Sequence, residues 1–161
     1  MPSSRLMRGT ALAATLVFGL GAAGCGSSKS KSSKTSTSTP AITKAAFLKQ
    51  GNAICKRGNQ QIAKAANTLF PRTGPKPSKA RMTKFATSTV VPSLQSQINQ
   101  IKALGTPAGD QTKVNAIVSS AQSALDKGKK DPALLTSNGS SPFKKTNQLS
   151  RSYGLKTCAA G

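Results

Sequence analysis

The stretch LKQGNAICKRGNQQIAKAANTL, residues 48–69, decides the fold of this chain. Large side chains recur every seven residues along it, and a small residue follows the first three of them by three positions: the large ones are Leu48, Cys55, Ile62 and Leu69, and the small ones are Gly51, Gly58 and Ala65. This spacing places both sets on one stripe of an α-helix, where a partner can approach closely at the small residues. The stretch therefore predicts a packed helix, in which close approach offsets the roughly 1 kcal/mol that each glycine costs.

Capping and turn signals bound this helix and predict a second one. Thr43 is expected to be the N-cap of the first helix, and the loop PRTGPKP at 71–77 follows it. A second helical segment is expected over 78–104. It contains Pro92 after two β-branched residues, which predicts a kink or a break near residues 88–92.

Similar signals predict two more helices towards the C-terminus. Asp110 is placed to cap a third helix that stops at Gly128, and Ser141 to cap a fourth that ends at Gly154. No segment alternates polar and apolar residues for long enough to indicate a strand. Four helices within residues 41–161 predict an all-α fold, a small antiparallel bundle.

The composition is strongly basic and excludes the common catalytic centres. The 161 residues include 24 Lys and Arg but only three acids, Asp110, Asp126 and Asp131, and no histidine, which gives a net charge of +21. Nucleophilic triads need histidine, acid-base pairs need adjacent carboxylates, and metal sites need clusters of Cys, His or carboxylate, none of which is present in the sequence. We expect no enzyme, no catalytic residue, no metal site and no cofactor.

The N-terminus has the pattern of an export signal. Arg5 and Arg8 precede an apolar run, and small residues lead to Cys25, after which a Ser/Thr/Lys tract extends to residue 40. The run from Ala22 to Cys25 resembles the lipobox of bacterial lipoprotein precursors, although that family prefers Leu where Ala22 stands. The resemblance implies lipidation of Cys25 and cleavage before it. Three segments are thus expected: a signal peptide at 1–24, a lipidated cysteine with a disordered linker at 25–40, and a helical domain at 41–161. An uncleaved anchor helix is the alternative.

The remaining two cysteines then form an even pair in an exported, oxidising setting. Cys55 lies on the core-facing side of the first helix, so we expect a structural disulfide between Cys55 and Cys158. In addition, ITKAAFLKQGNAIC at 42–55 and SYGLKTC at 152–158 resemble segments of uncharacterised small helical lipoproteins of actinobacterial type. That resemblance supports the disulfide and the helical fold, and it implies no activity.

Charge is the main functional clue. On the first helix Lys49, Lys56, Arg57 and Lys64 form what we call the basic stripe, expected to flank the buried residues and to bind anions. The expected function is that of a membrane-anchored envelope lipoprotein, on the extracytoplasmic face, that binds anionic lipid or wall polymer electrostatically. The alternative is a ligand-binding or accessory subunit of an envelope transport or assembly system. Few aromatic side chains are available for stacking on bases, so nucleic acid is not an expected partner. The sequence identifies no protein partner.

Overall fold

The computed structural model describes residues 41–136 and 141–160, and this part of the chain is all-helical without strands. The α-helices are α1 (Lys44–Leu69), α2 (Lys79–Phe85), α3 (Val91–Ala103), α4 (Gln111–Lys130) and α5 (Lys144–Tyr153), with a π-helical turn at Ala86–Val90 and a 3₁₀ turn at Pro132–Leu135. Because the π turn joins α2 to α3 without a gap, the described residues make four helical rods. The predicted all-α bundle is therefore confirmed. The expected signal peptide and linker, residues 1–40, lie outside the described residues.

Helix α1 begins where its capping residue predicts. The Thr43 hydroxyl accepts a hydrogen bond from the backbone N–H of Ala46 at 3.2 Å, which satisfies one of the donors that a helix start leaves open. The preceding residue, Ile42, packs against the core, as expected of a hydrophobic residue before an N-cap.

The buried face of α1 follows the predicted stripe only in its first half. Its buried residues are Phe47, Gly51, Ile54, Cys55 and Gly58, whereas Leu69 is 41% exposed. Leu69 lies 18 residues, or five full helical turns, after Gly51 and therefore points in the same direction, so its exposure goes with its place as the last residue of α1 and not with its face of the helix. The expectation that Leu69 continues the buried stripe is therefore wrong.

The small residues of α1 are points of close approach, as predicted. A Cβ atom at Gly58 would clash with the side chain of Gln97 on α3, and one at Gly51 would lie 2.7 Å from Cδ2 of Leu155. Glycine at these two positions lets α3 and the C-terminal segment contact the backbone of α1. Gln97 is only 7% exposed, and its amide nitrogen has no hydrogen-bond partner among the described residues.

Pro92 is accommodated by the π turn rather than by a break. Proline has no N–H, and in an α-helix its ring would clash with the carbonyl four residues earlier. In the π turn the N–H of Val91 instead donates to the carbonyl of Ala86, five residues back, and the chain continues into α3. The hydroxyls of Thr87 and Ser88 donate to carbonyls of the preceding turn. The helix predicted over 78–104 thus persists through a local change of winding.

Two predicted boundaries near α4 and α5 differ from the structure. Helix α4 continues through Gly128 to Lys130. Gly128 does not end the helix but leaves room for packing, since a Cβ atom there would meet the side chain of Leu135. Ser141 does not cap α5 directly. Its side chain accepts from the N–H of Phe143 in a short turn, and the helix begins at Lys144.

The C-terminal residues fold back onto α1. Helix α5 ends at Gly154, whose φ of 107° suits glycine, and the next residues run along α1. Asn52 holds this segment: its amide nitrogen donates to the carbonyl of Gly154 at 3.1 Å, and its oxygen accepts from the N–H of Thr157 at 2.8 Å. A disulfide between Cys55 and Cys158 joins the same two segments, which confirms the predicted pair.

Candidate functional site

The basic stripe lies on the solvent side of α1. Its four residues are all exposed. At about 100° per residue, the stripe is centred roughly 150–170° around the helix from Gly58 and Gly51. The expectation that it flanks the buried residues is therefore corrected, since the core and the stripe occupy opposite faces of the same helix.

The stripe is a linear array along the helix axis. With a rise of about 1.5 Å per residue, Lys49 and Lys56 are separated by about 10 Å along the axis and Lys56 and Lys64 by about 12 Å. The whole array is thus about 22 Å long. Three exposed glutamines lie near the cations: at about 100° per residue, Gln60 falls within the stripe, and Gln50 and Gln61 fall about 20–40° beyond its Arg57 edge.

The carboxylate of Asp110 is largely buried and binds groups of other helices in the bundle. One carboxylate oxygen accepts a hydrogen bond from the Tyr153 hydroxyl at 2.8 Å and lies 3.4 Å from the ammonium of Lys44. The other lies 3.8 Å from the ammonium of Lys113. Asp110 occupies the N-cap position of α4, but its side chain makes no capping hydrogen bond. The predicted capping role of this side chain is wrong because distant partners bind it instead.

These partners change the proton affinities of both residues. The hydrogen bond from Tyr153 lowers the pKa of Asp110, and the nearby ammonium groups of Lys44 and Lys113 lower it further, while burial opposes them. Burial, together with the hydrogen bond and charge of Asp110, raises the pKa of Tyr153 to about 12. At neutral pH the pair is thus a carboxylate that accepts from a neutral phenol.

The same cluster links three helices. The ammonium of Lys44, the first residue of α1, lies 4.8 Å from the centre of the Tyr153 ring, which also packs edge-on against Phe47 at 5.9 Å. Tyr153 closes α5, and Asp110 precedes α4. We interpret the cluster as a structural junction of α1, α4 and α5.

The other two acids are also engaged away from the stripe. Asp126 accepts from Lys129 at 3.4 Å and from the Gln122 amide at 3.0 Å, and Asp131 accepts from the N–H of Ala133 at the start of the 3₁₀ turn. Among residues 41–136 and 141–160, no acidic side chain forms an ion pair with the stripe. Its charge is therefore balanced only by whatever anions the solvent or a partner supplies.

Not every surface cation is equally available. The guanidinium of Arg81 donates to the last carbonyl of α1, that of Leu69, at 2.8 Å, and it stacks over the ring of Phe70 at 5.6 Å. This arginine therefore caps the end of α1 and supports the turn into α2. The stripe residues form no such contacts within the described part of the chain.

The described residues offer few other features of a functional site. They contain no group of three or more Cys, His, Asp or Glu side chains able to hold a metal ion. Two shallow depressions, one on the outer face of α3 around Ser96 and one beside α4 around Ser123, open widely to solvent. No helix within the described ranges is long and apolar enough to cross a membrane.

Comparison of the chain with protein-family models, with curated proteins and with solved structures gives no match in any of the three. The functional argument therefore depends on the surface itself. Sequence reasoning found the stripe because helical spacing brings its residues together. It missed the junction of Asp110 with Tyr153, since these residues are 43 positions apart and no local pattern relates them.

Proposed function

We propose that this chain is a lipid-anchored, non-enzymatic protein of the cell envelope whose helical domain binds anionic lipid or anionic wall polymer electrostatically. The observation that carries the proposal is the basic stripe: four exposed cations on one helix, with all three acids of the chain engaged elsewhere. A surface of this kind attracts polyanions.

The anchor is proposed from the resemblance of residues 22–25 to a lipobox. Cys25 lies outside the described residues, and the apolar run before it has the length of an export signal. Acyl chains contribute about 0.8 kcal/mol per buried CH₂, so two or more chains on Cys25 would hold the protein stably on the extracytoplasmic face.

Anchor and stripe suit each other energetically. A Lys or Arg beside an anionic surface contributes about 1 kcal/mol, so the stripe alone supports a dissociation constant on the order of 1 mM. Binding this weak is useful when the partner is already near. Attachment to the same envelope gives effective concentrations in the mM range, which turns weak contacts into persistent ones.

Labelling with a fatty-acid analogue tests the anchor. The native chain should incorporate the label, whereas Cys25→Ser should not. The variant Cys55→Ser/Cys158→Ser is the matched control, since it removes two other cysteines and should keep the label. Equal labelling of the native chain and Cys25→Ser would refute the lipidation.

Salt extraction tests the electrostatic binding. The full-length Cys25→Ser chain, which carries no acyl group, should bind isolated envelopes at low ionic strength and dissociate as NaCl rises to about 0.5 M, where charges are screened within about 4–5 Å. Binding that does not change with salt, or no binding at all, would rule out an electrostatic partner.

A further inference from the structure

We infer that the basic stripe binds one extended strand of a linear polyanion, such as a phosphate- or uronate-containing polymer, rather than the plane of a membrane. The inference rests on the proposed electrostatic function and chooses between its two partner classes. Three properties of α1 carry it: the shape of the charge array, the chemistry of the residues between the charges, and the lack of exposed apolar side chains beside them.

The cations form a long, narrow array. Its cations follow the axis of α1 for about 22 Å, in steps of about 10–12 Å. Around the axis, the neighbours Lys56 and Arg57 project about 100° apart, one towards each edge of the stripe. A strand running between them is approached from both sides. A plane laid over the centre of the stripe lies about 50° to the side of each of these two side chains, so both must bend towards it to make contact.

The residues between the cations favour a polar strand. Gln50, Gln60 and Gln61 are exposed, and none of their side-chain amides forms a hydrogen bond within the described residues. Each amide offers two donors and one acceptor. A polymer that carries hydroxyls as well as anionic groups can use both the amides and the cations of this face.

The face has no means of entering a bilayer. Helices that lie in a membrane interface bury Leu, Phe or Trp below the headgroups. The large apolar residues Phe47 and Ile54 of α1 are buried in the core, and the small residues Ala53 and Ala63 are the apolar ones near the stripe. Leu69 is exposed but lies beyond Lys64 at the end of the helix. A lipid surface therefore gains only long-range charge attraction here.

Two matched variants test the inference in the full-length Cys25→Ser chain. The stripe variant is Lys49→Gln/Lys56→Gln/Arg57→Gln/Lys64→Gln. The control is Arg72→Gln/Lys79→Gln/Lys84→Gln/Lys145→Gln, which removes the same number of Lys and Arg at exposed positions away from the stripe. The probes are long-chain inorganic polyphosphate, polygalacturonate, and vesicles of phosphatidylglycerol in phosphatidylcholine. The apolar N-terminal run is common to all chains, and circular dichroism checks that both variants are helical.

The stripe variant should bind both soluble polymers at least about tenfold more weakly than the parent chain, and the control within about threefold of it. The magnitude of the slope of log K against log salt should decrease by about 3 for the stripe variant, since each of its four lost cation contacts contributes about 0.7 to that magnitude. Vesicle binding should fall by the same small factor in both variants.

Two results would overturn the inference and leave the proposed function standing. Equal losses of polymer binding in both variants would mean that overall charge, and not the stripe, binds the polymer. A stripe-specific loss for vesicles as large as that for the polymers would identify the membrane as the partner. By contrast, salt-independent binding to all three probes would refute the electrostatic function itself.

Discussion

The two faces of helix α1 have opposite compositions and, in our account, separate tasks. The inner face carries Phe47, Gly51 and Gly58, which contact α3, α5 and the C-terminal segment. The outer face carries the basic stripe, whose four side chains are exposed. The difference teaches that stability and binding should be separable in this helix: inner-face changes should unfold the domain, and outer-face changes should leave it folded but weaken binding.

Removal of the disulfide should have the largest effect on stability. Cys55 and Cys158 are 103 residues apart, and closing a loop of that size stabilises by about 4–5 kcal/mol in the chain-entropy model. Cys55→Ser/Cys158→Ser should therefore lower the free energy of unfolding by an amount of that order, measured by urea denaturation. A loss below about 1 kcal/mol would show that the hydrogen bonds of Asn52 already hold the two segments together in the unbridged chain.

Truncation of an inner-face side chain should be nearly as damaging. Phe47 is fully buried and packs against Tyr153, so Phe47→Ala should cost about 3–5 kcal/mol. Leu69→Ala in the same helix is the control. Because Leu69 is 41% exposed, its loss should cost less than about 1 kcal/mol. Comparable losses in the two variants would mean that burial along α1 does not set the cost of truncation.

The contact between Gly58 and Gln97 gives a sharper test of the inner face. Gly58→Ala places a methyl group against the buried Gln97 side chain, so it should destabilise by about 1–3 kcal/mol despite the better helix propensity of alanine. Gln97→Ala removes both the obstacle and an unpaired buried amide. The double variant should therefore be more stable than Gly58→Ala alone, and additive losses in the double-mutant cycle would show that the two residues do not compete for space.

The junction at the start of α1 should appear in the pH dependence of stability. The pKa of Asp110 is lower in the folded chain, so its contribution is present above its ordinary value of 3.8 and is lost as pH falls through the folded value. The pKa of Tyr153 is raised from 10.0 to about 12, so its contribution is present below pH 10 and is lost as pH rises towards 12.

Tyr153→Phe tests both limbs of that profile. It should lower Tm by a few degrees at pH 7, where the hydrogen bond to the carboxylate is intact. The difference in Tm between the native chain and Tyr153→Phe should shrink below about pH 4 and above about pH 10. A difference that is constant from pH 3 to about 12 would mean that the hydroxyl does not bind Asp110.

Local signals predicted much of this fold, and long-range pairs account for what they missed. The Thr43 cap and the end of α5 at Gly154 depend on neighbouring residues, so the sequence pattern suffices for them. The pattern also predicted the glycines of α1 as points of close approach, but not which residues approach them. The disulfide was predictable because few cysteines leave few pairings. In contrast, Asp110 resembles an N-cap locally, and only the folded chain shows that Lys44 and Tyr153 bind it instead.

The sequence predicted which residues form the candidate site but not on which side of α1, relative to the core, they lie. Lys49, Lys56, Arg57 and Lys64 share a face because of helical periodicity alone. Their placement opposite the core depended on which residues of α1 are buried, and the structure shows these to be Phe47, Gly51, Ile54, Cys55 and Gly58. The engagement of all three acids elsewhere also required the structure, since it depends on contacts between helices.

The smallest effect on stability and the largest on binding should come from the stripe. Surface substitutions away from caps and ion pairs change stability by about 0.5 kcal/mol or less, so the stripe variant should unfold at the same urea concentration as the native chain. A large loss of stability in this variant would mean that the outer face is part of the fold.

The most direct test of the central claim, that the outer face of α1 binds the polyanion, is the salt dependence of polyphosphate binding. It is measured side by side for the unlipidated parent chain, the stripe variant and the charge-matched control. We predict a steep linear fall of log K with log salt for the parent and the control, and a shallower fall for the stripe variant, with a slope smaller in magnitude by about 3. The same slope in all three chains would contradict the assignment of binding to the outer face of α1.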